Sequence, residues 1–549
     1  MKSLNEVKTR NDLSIFLDIP IKRLTYILYV RKPDSYYNSF IINKKSGGTR
    51  TIDAPTGDLK KIQIKLAQSL YEHRKLVNDR HNIRANISHG FEKNKGIITN
   101  AKNHVNKKII INLDFENFFG SFHFGRVRGY FEKNKNINLP IEVATIIAQL
   151  VCYKGVLPQG APTSPIIANM ICEILDRRLI YLAKEYKLYY TRYADDLTFS
   201  TNDKMILEEY DLFLKRIESE IINFGLSINH KKTRLIYNDS RQEVTGLVVN
   251  KKINIKNEYY KKTRAMAHNL YTYGEFNIDG EIGKIDQLEG RFSFINQIDK
   301  YNNIHNKEKK NIWRLNGREK EYQKFLFYKY FYTNQKPIII TEGKTDPIYI
   351  KAALKSLYEY YPELVEKKDD EFYYKISFLK RTKRMRYFFN IQSDGANTLL
   401  NIYNFYTGHN NFPNYFDYFQ SKRQKSDQMP IFLLFDNEQK HKDKSLRKFK
   451  NNIGINSEIN GSEHIKGNLY LLTNPLKKGL EESEIEDLFD DVILNKKLNN
   501  KSFSRDDKFD NIKFYGKKIF ADYIMKNYKT INFDYFRPLL DEICNVINI

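Results

Sequence analysis

The sequence predicts a multidomain chain of mixed class, α+β in its N-terminal half and α/β in its C-terminal half. Three observations predict it. At 549 residues the chain is too long for one ordinary core, so two to four domains are expected. Around Leu188–Ser200, β-forming residues run into Asp195-Asp196 and then resume, the pattern of a hairpin with two carboxylates at its tip. In the second half, the apolar runs Ile338–Thr341 and Ile431–Phe435 each lead directly into acids.

Composition narrows the class. Hydrophobic residues make up 41%, enough for folded domains rather than disorder. The formal net charge is +25, from 91 Lys+Arg against 66 Asp+Glu, which points to a polyanionic partner such as nucleic acid. A Lys-rich proteome is the competing explanation, because the chain is also rich in Asn and Ile. Aromatics reach 14% and serve as core or as base-stacking platforms. Cys152, Cys172 and Cys544 are scattered without CxxC spacing, which argues against a disulfide framework or a zinc site and fits a reducing cytoplasm. The first residues lack a signal-peptide core, and no run of about 18 apolar residues occurs, so a cytoplasmic protein without a membrane span is expected.

Residues 1–30 read as two helices broken near Pro20. Tyr36–Ile42 and Thr49–Ile52 read as a hairpin turned at Gly47-Gly48. Lys44, Lys45 and Arg50 put cations on it, either as a solvated basic turn or against triphosphate and template. A helix over 58–85 follows. His89 and His104, the latter within Asn100-Ala101-Lys102-Asn103-His104, are assigned structural or RNA-contacting roles. Ile109–Phe115 is a buried β run that delivers Asp114 at its end, a rigid way to place a metal ligand, with Phe115 beside it. Of the next aromatics, Phe118 is expected in the core. Phe119 is expected under the sugar of an incoming nucleotide, where it excludes a 2′-hydroxyl.

Leu157–Pro165 is a loop before a helix over 166–182. Its Gln159 and Gly160 let a base pair approach the backbone. Asp195 and Asp196 follow at a tight turn, where both carboxylates can reach one place and share a divalent cation. After a helix over 207–224, Lys232 is placed to contact or protonate a pyrophosphate leaving group. Thr245 and Gly246 lie within a further strand, and residues 256–330 read as helical, basic and aromatic-rich.

Together these pieces resemble a reverse transcriptase over about residues 10–315. Asp114 matches the first catalytic motif, Leu157–Pro165 the second and Tyr193–Asp196 the third. More narrowly, the chain resembles the bacterial retron enzymes, through an NAxxH signature at Asn100–His104 and a VTG signature at Val244–Gly246. The resemblance implies a right-hand polymerase with fingers near 30–110, palm near 111–250 and thumb near 251–315. It implies two Mg²⁺ ions at Asp114, Asp195 and Asp196, dNTP substrates and a dedicated non-coding RNA. Priming from a guanosine 2′-hydroxyl would give a branched RNA–DNA (msDNA), trimmed by a host RNase H. Asn100, His104, Thr245 and Gly246 are carried over as nucleic-acid contacts.

Residues 316–335 read as a polar helical connection to a domain over 336–549. Gly343-Lys344-Thr345 is not a Walker A motif, because Ile338 stands where its first glycine is needed. Glu342 after one strand and Asp436-Asn437-Glu438 after another resemble a Toprim domain, an α/β fold with a parallel sheet whose metal site lies at the strand ends. Glu438 stands where that family usually has Asp. Glu486, in an acidic stretch read as a helix, resembles the corresponding acid of OLD-class nucleases; Ser393–Asn397 and Lys517-Lys518 are placed nearby. The resemblance implies Mg²⁺ or Mn²⁺ at this second site, a nucleic-acid target, possible homo-oligomers and an anti-phage effector role. The alternative is a group II intron-like or other bacterial reverse transcriptase whose C-terminal half only binds nucleic acid or assembles.

Overall fold

The computed structural model describes residues 4–44, 47–81, 86–305, 312–391, 397–424, 428–506 and 508–548. They form two compact units that divide between Asn257 and Glu258.

The first unit is built on a four-stranded antiparallel sheet. Its strands are β3 (Ile109–Asp114), β4 (Tyr189–Tyr193), β5 (Asp196–Thr201) and β6 (Arg234–Tyr237), in the order β4-β5-β3-β6. β3 is central, and Ile109, Ile110, Ile111 and Leu113 are all buried, so both of its faces are covered. Helix α2 (Ser164–Glu185) starts with Pro165 in its first turn, where a missing N–H costs nothing. It buries Ile166, Ile167, Leu175 and Leu179 in the same core as β3 and β5. The hairpin of β1 (Tyr37–Asn43) and β2 (Thr49–Pro55) turns at Gly47 and Gly48, both at positive φ. It is tied to the Leu157–Pro165 loop by the Asp53 N–H donating to the Gln159 carbonyl. A short helix, α1 (Ile97–Ala101), packs against the tight hairpin of β7 (Glu243–Val244) and β8 (Leu247–Val248).

The second unit holds a five-stranded sheet. Three parallel strands, β9 (Ile338–Thr341), β11 (Ile431–Phe435) and β13 (Leu469–Thr473), form its centre. β10 (Ser377–Phe378) adds in parallel at one edge and β12 (Ser462–Lys466) in antiparallel at the other, giving the order β10-β9-β11-β13-β12. Strand alternation splits the apolar residues between two cores. Ile340, Leu433 and Leu471 face one, and Ile339, Leu434 and Leu472 face the other.

Three expectations differ from the structure. Residues 258–305, read as a thumb, belong to the second unit. Leu270, Tyr271, Leu288 and Phe292, from helices α3 (Asn257–Tyr273) and α4 (Ile285–His305), share a core with β9, β11 and β13. The stretch read as a polar connection is helix α5 (Gly317–Phe327) followed by a π-turn, and it buries Phe325, Leu326, Phe327 and Phe331 in that core. Its Arg and Lys residues mask an apolar face. The acidic stretch around Glu486 is a single 3₁₀ turn, Ile485–Leu488, rather than a helix. Asn437 and Ser483 exchange backbone hydrogen bonds and pin that stretch beside the end of β11.

Candidate active sites

Tyr193 pairs with Asp196, so Ala194 and Asp195 alone form the hairpin loop. Ala194 sits at φ +55, a left-handed conformation that costs a residue with a Cβ and persists only when its surroundings hold it. Three contacts do so. Phe115 N–H donates to the Asp195 carbonyl at 3.0 Å, and Arg192 Nη1 donates to the Ala194 carbonyl at 3.1 Å. Gly90 lies so close that a Cβ there would stand 2.5 Å from the Ala194 nitrogen.

The sheet register then assembles the acids, because Asp114 is the direct cross-strand partner of Asp196. Burial raises Asp195 above the ordinary carboxylate range. Asp196 is pushed up to about 7, first by burial and then by the charges of Asp195 and Asp114. Lys232 Nζ donates to both oxygens of Asp114, at 2.8 and 2.9 Å. The two turn aspartates do not open onto one space. Asp195 lines one cavity and Asp196 another, while Asp114 and Lys232 border both.

The first cavity measures about 1080 Å³. Lys44 and Arg50 line it from the hairpin, Phe119 and Gln159 from the loops. Lys45 lies outside the described residues. Phe118 is buried and stacks parallel to Phe115; both it and Phe119 border the cavity, and Phe119 is the more exposed of the two. The buried Phe115 ring offers a metal nothing; only its main chain could contribute. Gly160 is small for another reason than expected. At φ +130, its missing Cβ would stand 2.8 Å from the Asp53 carbonyl of β2, so the glycine admits a protein strand there.

The second cavity, about 600 Å³, is lined by Ile97, Arg234, Arg241, Thr245 and Gly246 as well as Asp114 and Asp196. Thr245 and Gly246 form the two-residue loop between β7 and β8, both at positive φ, and Thr245 is β-branched. That conformation is a genuine outlier for threonine. Its hydroxyl reaches the Ile97 carbonyl at 3.4 Å, which joins the β7–β8 loop to the start of α1. Asn100 and His104 are not at this surface. Both are fully buried, and the His104 ring nitrogens bond the hydroxyls of Ser200 and Thr191 at 2.7 Å each. Burial lowers its pKa to about 3, so the ring is neutral. His104 is an inner support of β4 and β5, and Asn100 is enclosed in the protein, so neither side chain stands at a nucleic-acid surface. His89 is buried as well, with its ring against Thr99 and the Asn86 carbonyl.

The second unit gathers another acidic group at the ends of β9 and β11. Asp436 Oδ1 accepts from Asn474 at 2.7 Å and from the Ile485 N–H at 3.0 Å. Burial, then the charges of Asp346, Glu342, Glu486 and Glu484, push Asp436 far above the ordinary range. Burial also raises Glu342 and Glu486. Glu342 accepts from Ser445 at 2.5 Å, and Glu486 pairs with Lys517 at 3.2 Å. Glu438 turns to an ion pair with Lys444. Asp346 is a member that the sequence reading missed. It stands first in the helix Asp346–Ser356, four residues after Glu342, and accepts from the Gly343 N–H at 2.8 Å. An acid in the first helical turn after a strand-end Glu was the available signal. Asn397 is the described remainder of Ser393–Asn397; residues 393–396 lie outside the described residues.

Both acidic groups fit hard divalent cations. Their donors are carboxylate oxygens, whose pKa values are raised by burial and then by the negative charges of neighbouring carboxylates. Among the described residues, no group of three or more His, Cys, Asp or Glu side chains is spaced to hold a metal ion by itself. Open sites of this kind complete their coordination with substrate oxygens and water.

An antiparallel sheet carrying paired acids at a hairpin tip, facing a cavity with a basic hairpin, defines a nucleotide polymerase palm. Sequence comparison agrees: the family described as "Reverse transcriptase (RNA-dependent DNA polymerase)" matches residues 42–263. The retron Ec86 reverse transcriptase of Escherichia coli is 34% identical over 293 residues, covering 53% of this chain and 84% of that one. The chain belongs to the retron reverse transcriptase family, and its palm is an RNA-directed DNA polymerase site. The retron Mx65 and Mx162 enzymes of Myxococcus xanthus are 32% and 31% identical. They cover 48% and 54% of this chain and 62% and 65% of their own lengths. Among solved structures, a Candida albicans telomerase in complex with a fragment of telomeric RNA overlaps 55% of this chain and 61% of its own, at 11% identity. Its TM-score of 0.33 is too low to add to the assignment. Among the described residues, no helix is long and apolar enough to cross a membrane.

Proposed function

We propose that the chain copies a dedicated non-coding RNA into a branched RNA–DNA from a guanosine 2′-hydroxyl, and that its second unit is a Toprim-type nuclease effector in anti-phage defence. The observation that carries the polymerase part is the first cavity, where Lys44, Arg50, Phe119 and Lys232 surround Asp114 and Asp195. Lys44 and Arg50 hold the triphosphate of an incoming dNTP. Phe119 lies under its sugar. Gln159 bounds the base pair. Asp114, Asp195 and Asp196 would hold two Mg²⁺ ions, which would supply activation of the primer hydroxyl and charge stabilisation of the leaving pyrophosphate. Lys232 returns a proton to that leaving group. The second cavity, between Asp196 and the Thr245-Gly246 turn, takes the priming strand. A host RNase H then trims the template.

The parallel centre of the second sheet, with Glu342 and Asp436 at its strand ends and Asp346 and Glu486 beside them, supports the effector reading, with Mg²⁺ or Mn²⁺ as its ion. Lys517 supplies the positive charge beside Glu486. The ion pair of Glu438 with Lys444 favours a second reading, in which this unit binds nucleic acid without cleaving it. Two experiments decide. Cellular cDNA disappears in the Asp195→Asn/Asp196→Asn variant; normal cDNA there sinks the polymerase assignment. Toxicity and nuclease activity disappear in Glu342→Gln while cDNA persists; undiminished cleavage by that variant removes the effector claim.

A further inference from the structure

Beneath the catalytic turn lies a buried polar cluster that none of the chemistry above uses. Arg192 is fully buried. Its Nε and Nη2 donate to the two oxygens of Asp176 at 2.9 and 2.7 Å. Its Nη1 donates to Asn169 Oδ1 at 3.0 Å and to the Ala194 carbonyl at 3.1 Å. Asp176 also accepts from the Tyr190 hydroxyl at 2.8 Å. Asn169 in turn donates to the Gly90 carbonyl at 2.8 Å, and the Arg192 backbone pairs with Ile87 and His89. Helix α2, strand β4 and the 87–90 segment therefore meet on one cation.

A buried ion pair is poor ground for stability, since its desolvation cost roughly cancels its attraction. Geometry gives this one a different use. Ala194 is strained, and the carbonyl that Arg192 holds belongs to the peptide leading into Asp195. If that peptide rotated, the Asp195 carboxylate would turn with it. We propose that Arg192 is a positioning residue for DNA synthesis: braced by Asp176 and Asn169, it fixes the Ala194–Asp195 peptide and so aims Asp195 at its cation. The proposal rests on DNA synthesis at Asp114, Asp195 and Asp196. The Asp195→Asn/Asp196→Asn variant tests that reading separately.

The test uses the full chain carrying Asp176→Asn with Arg192→Leu, which removes both charges together and keeps an acceptor for Tyr190. Thermal melting, affinity for an RNA template–primer, kcat, KM for dNTP and the Mg²⁺ dependence of the rate are measured. Melting temperature, RNA affinity and dNTP KM stay near wild type. kcat falls about 100-fold, the scale of a misplacement of roughly 1 Å at a reacting centre. The Mg²⁺ concentration for half-maximal rate rises about tenfold, and excess Mg²⁺ restores part of the rate, because a misaimed ligand binds its ion more weakly. A folded variant with the wild-type Mg²⁺ curve overturns the proposal, whatever its kcat. If the double variant does not fold, Arg192→Lys keeps the charge and loses the fork that reaches several acceptors at once. A shifted Mg²⁺ curve in Arg192→Lys supports the proposal, and an unshifted one overturns it.

Discussion

Replacing His104 with Gln should flatten the acid sensitivity of the palm sheet. The wild-type ring is fully buried, its two nitrogens are taken by Ser200 and Thr191, and its pKa falls from 6.5 to about 3. Burial is the main cause, and the charges of His89 and Lys107 add to it. Between pH 6.5 and pH 3 the unfolded chain therefore holds a proton that the folded chain refuses. Stability from this group is complete above pH 6.5 and is lost as the pH falls below it. At pH 5.0 the loss spans one and a half pH units at about 1.36 kcal/mol each, or about 2 kcal/mol. The reporter must be local, because the chain has two units. Urea midpoints of peptides from β4 and β5, read by hydrogen exchange and mass spectrometry at pH 7.5 and 5.0, supply it. Wild type should lose about 2 kcal/mol more than His104→Gln over that interval. Gln removes the titration and keeps one amide for the hydroxyls, so the variant is weaker at both pH values but less pH-dependent. Equal losses in the two proteins would refute the reasoning and return His104 to the list of nucleic-acid contacts.

Three further outcomes follow from the palm. Phe119→Val should open the sugar side of the first cavity and raise ribonucleotide incorporation about tenfold or more relative to dNTP, measured by single-nucleotide extension. Lys232→Gln removes the cation on Asp114 and should lower the extension rate at saturating dNTP by about 10²-fold, the scale of a lost general acid. RNA affinity is the control, and an unchanged rate excludes Lys232 from the chemistry. Gly90→Ala places a methyl 2.5 Å from the Ala194 nitrogen and must shift the turn. cDNA yield should fall about tenfold or more while RNA binding holds, and full yield would show that the turn tolerates displacement.

What was legible in the sequence was local. Two glycines between β-rich runs announced the β1–β2 hairpin, and β-formers flanking Asp195-Asp196 announced the β4–β5 turn. What was hidden depended on distant partners. Gly160 looked like room for a base pair, yet the close approach is by β2, which no local pattern reveals. Asn100 and His104 are carried over as nucleic-acid contacts by the NAxxH signature they match. The burial of His104 against β4 and β5 is set by a register that brings together residues about ninety positions apart. The stretch around Glu486 had helical composition, but its pairing with Asn437 overrode that preference. The resemblance to a reverse transcriptase reads the aromatic-rich stretch after residue 256 as a polymerase thumb. Its apolar residues instead complete one face of the second sheet, and burial decides membership more strongly than sequence order.

The two acidic groups solve one electrostatic problem in the same way. Each places carboxylates at the ends of buried strands, where backbone is rigid and water is scarce, so each raises its own pKa values. Each then receives a lysine from a later segment, Lys232 at Asp114 and Lys517 at Glu486. A lysine can stand near such a cluster only as partial compensation, because one charge faces three or more carboxylates. The remaining deficit is the physical ground for the divalent ions proposed above. The first group faces a cavity shaped by a basic hairpin and an aromatic wall, which suits a nucleotide. The second lies at strand ends of a parallel sheet whose other core includes α3 and α4. Mutation within α3 or α4 therefore acts on the core beneath the second acidic group, and truncation before residue 336 removes the sheet partners of the helices it leaves behind.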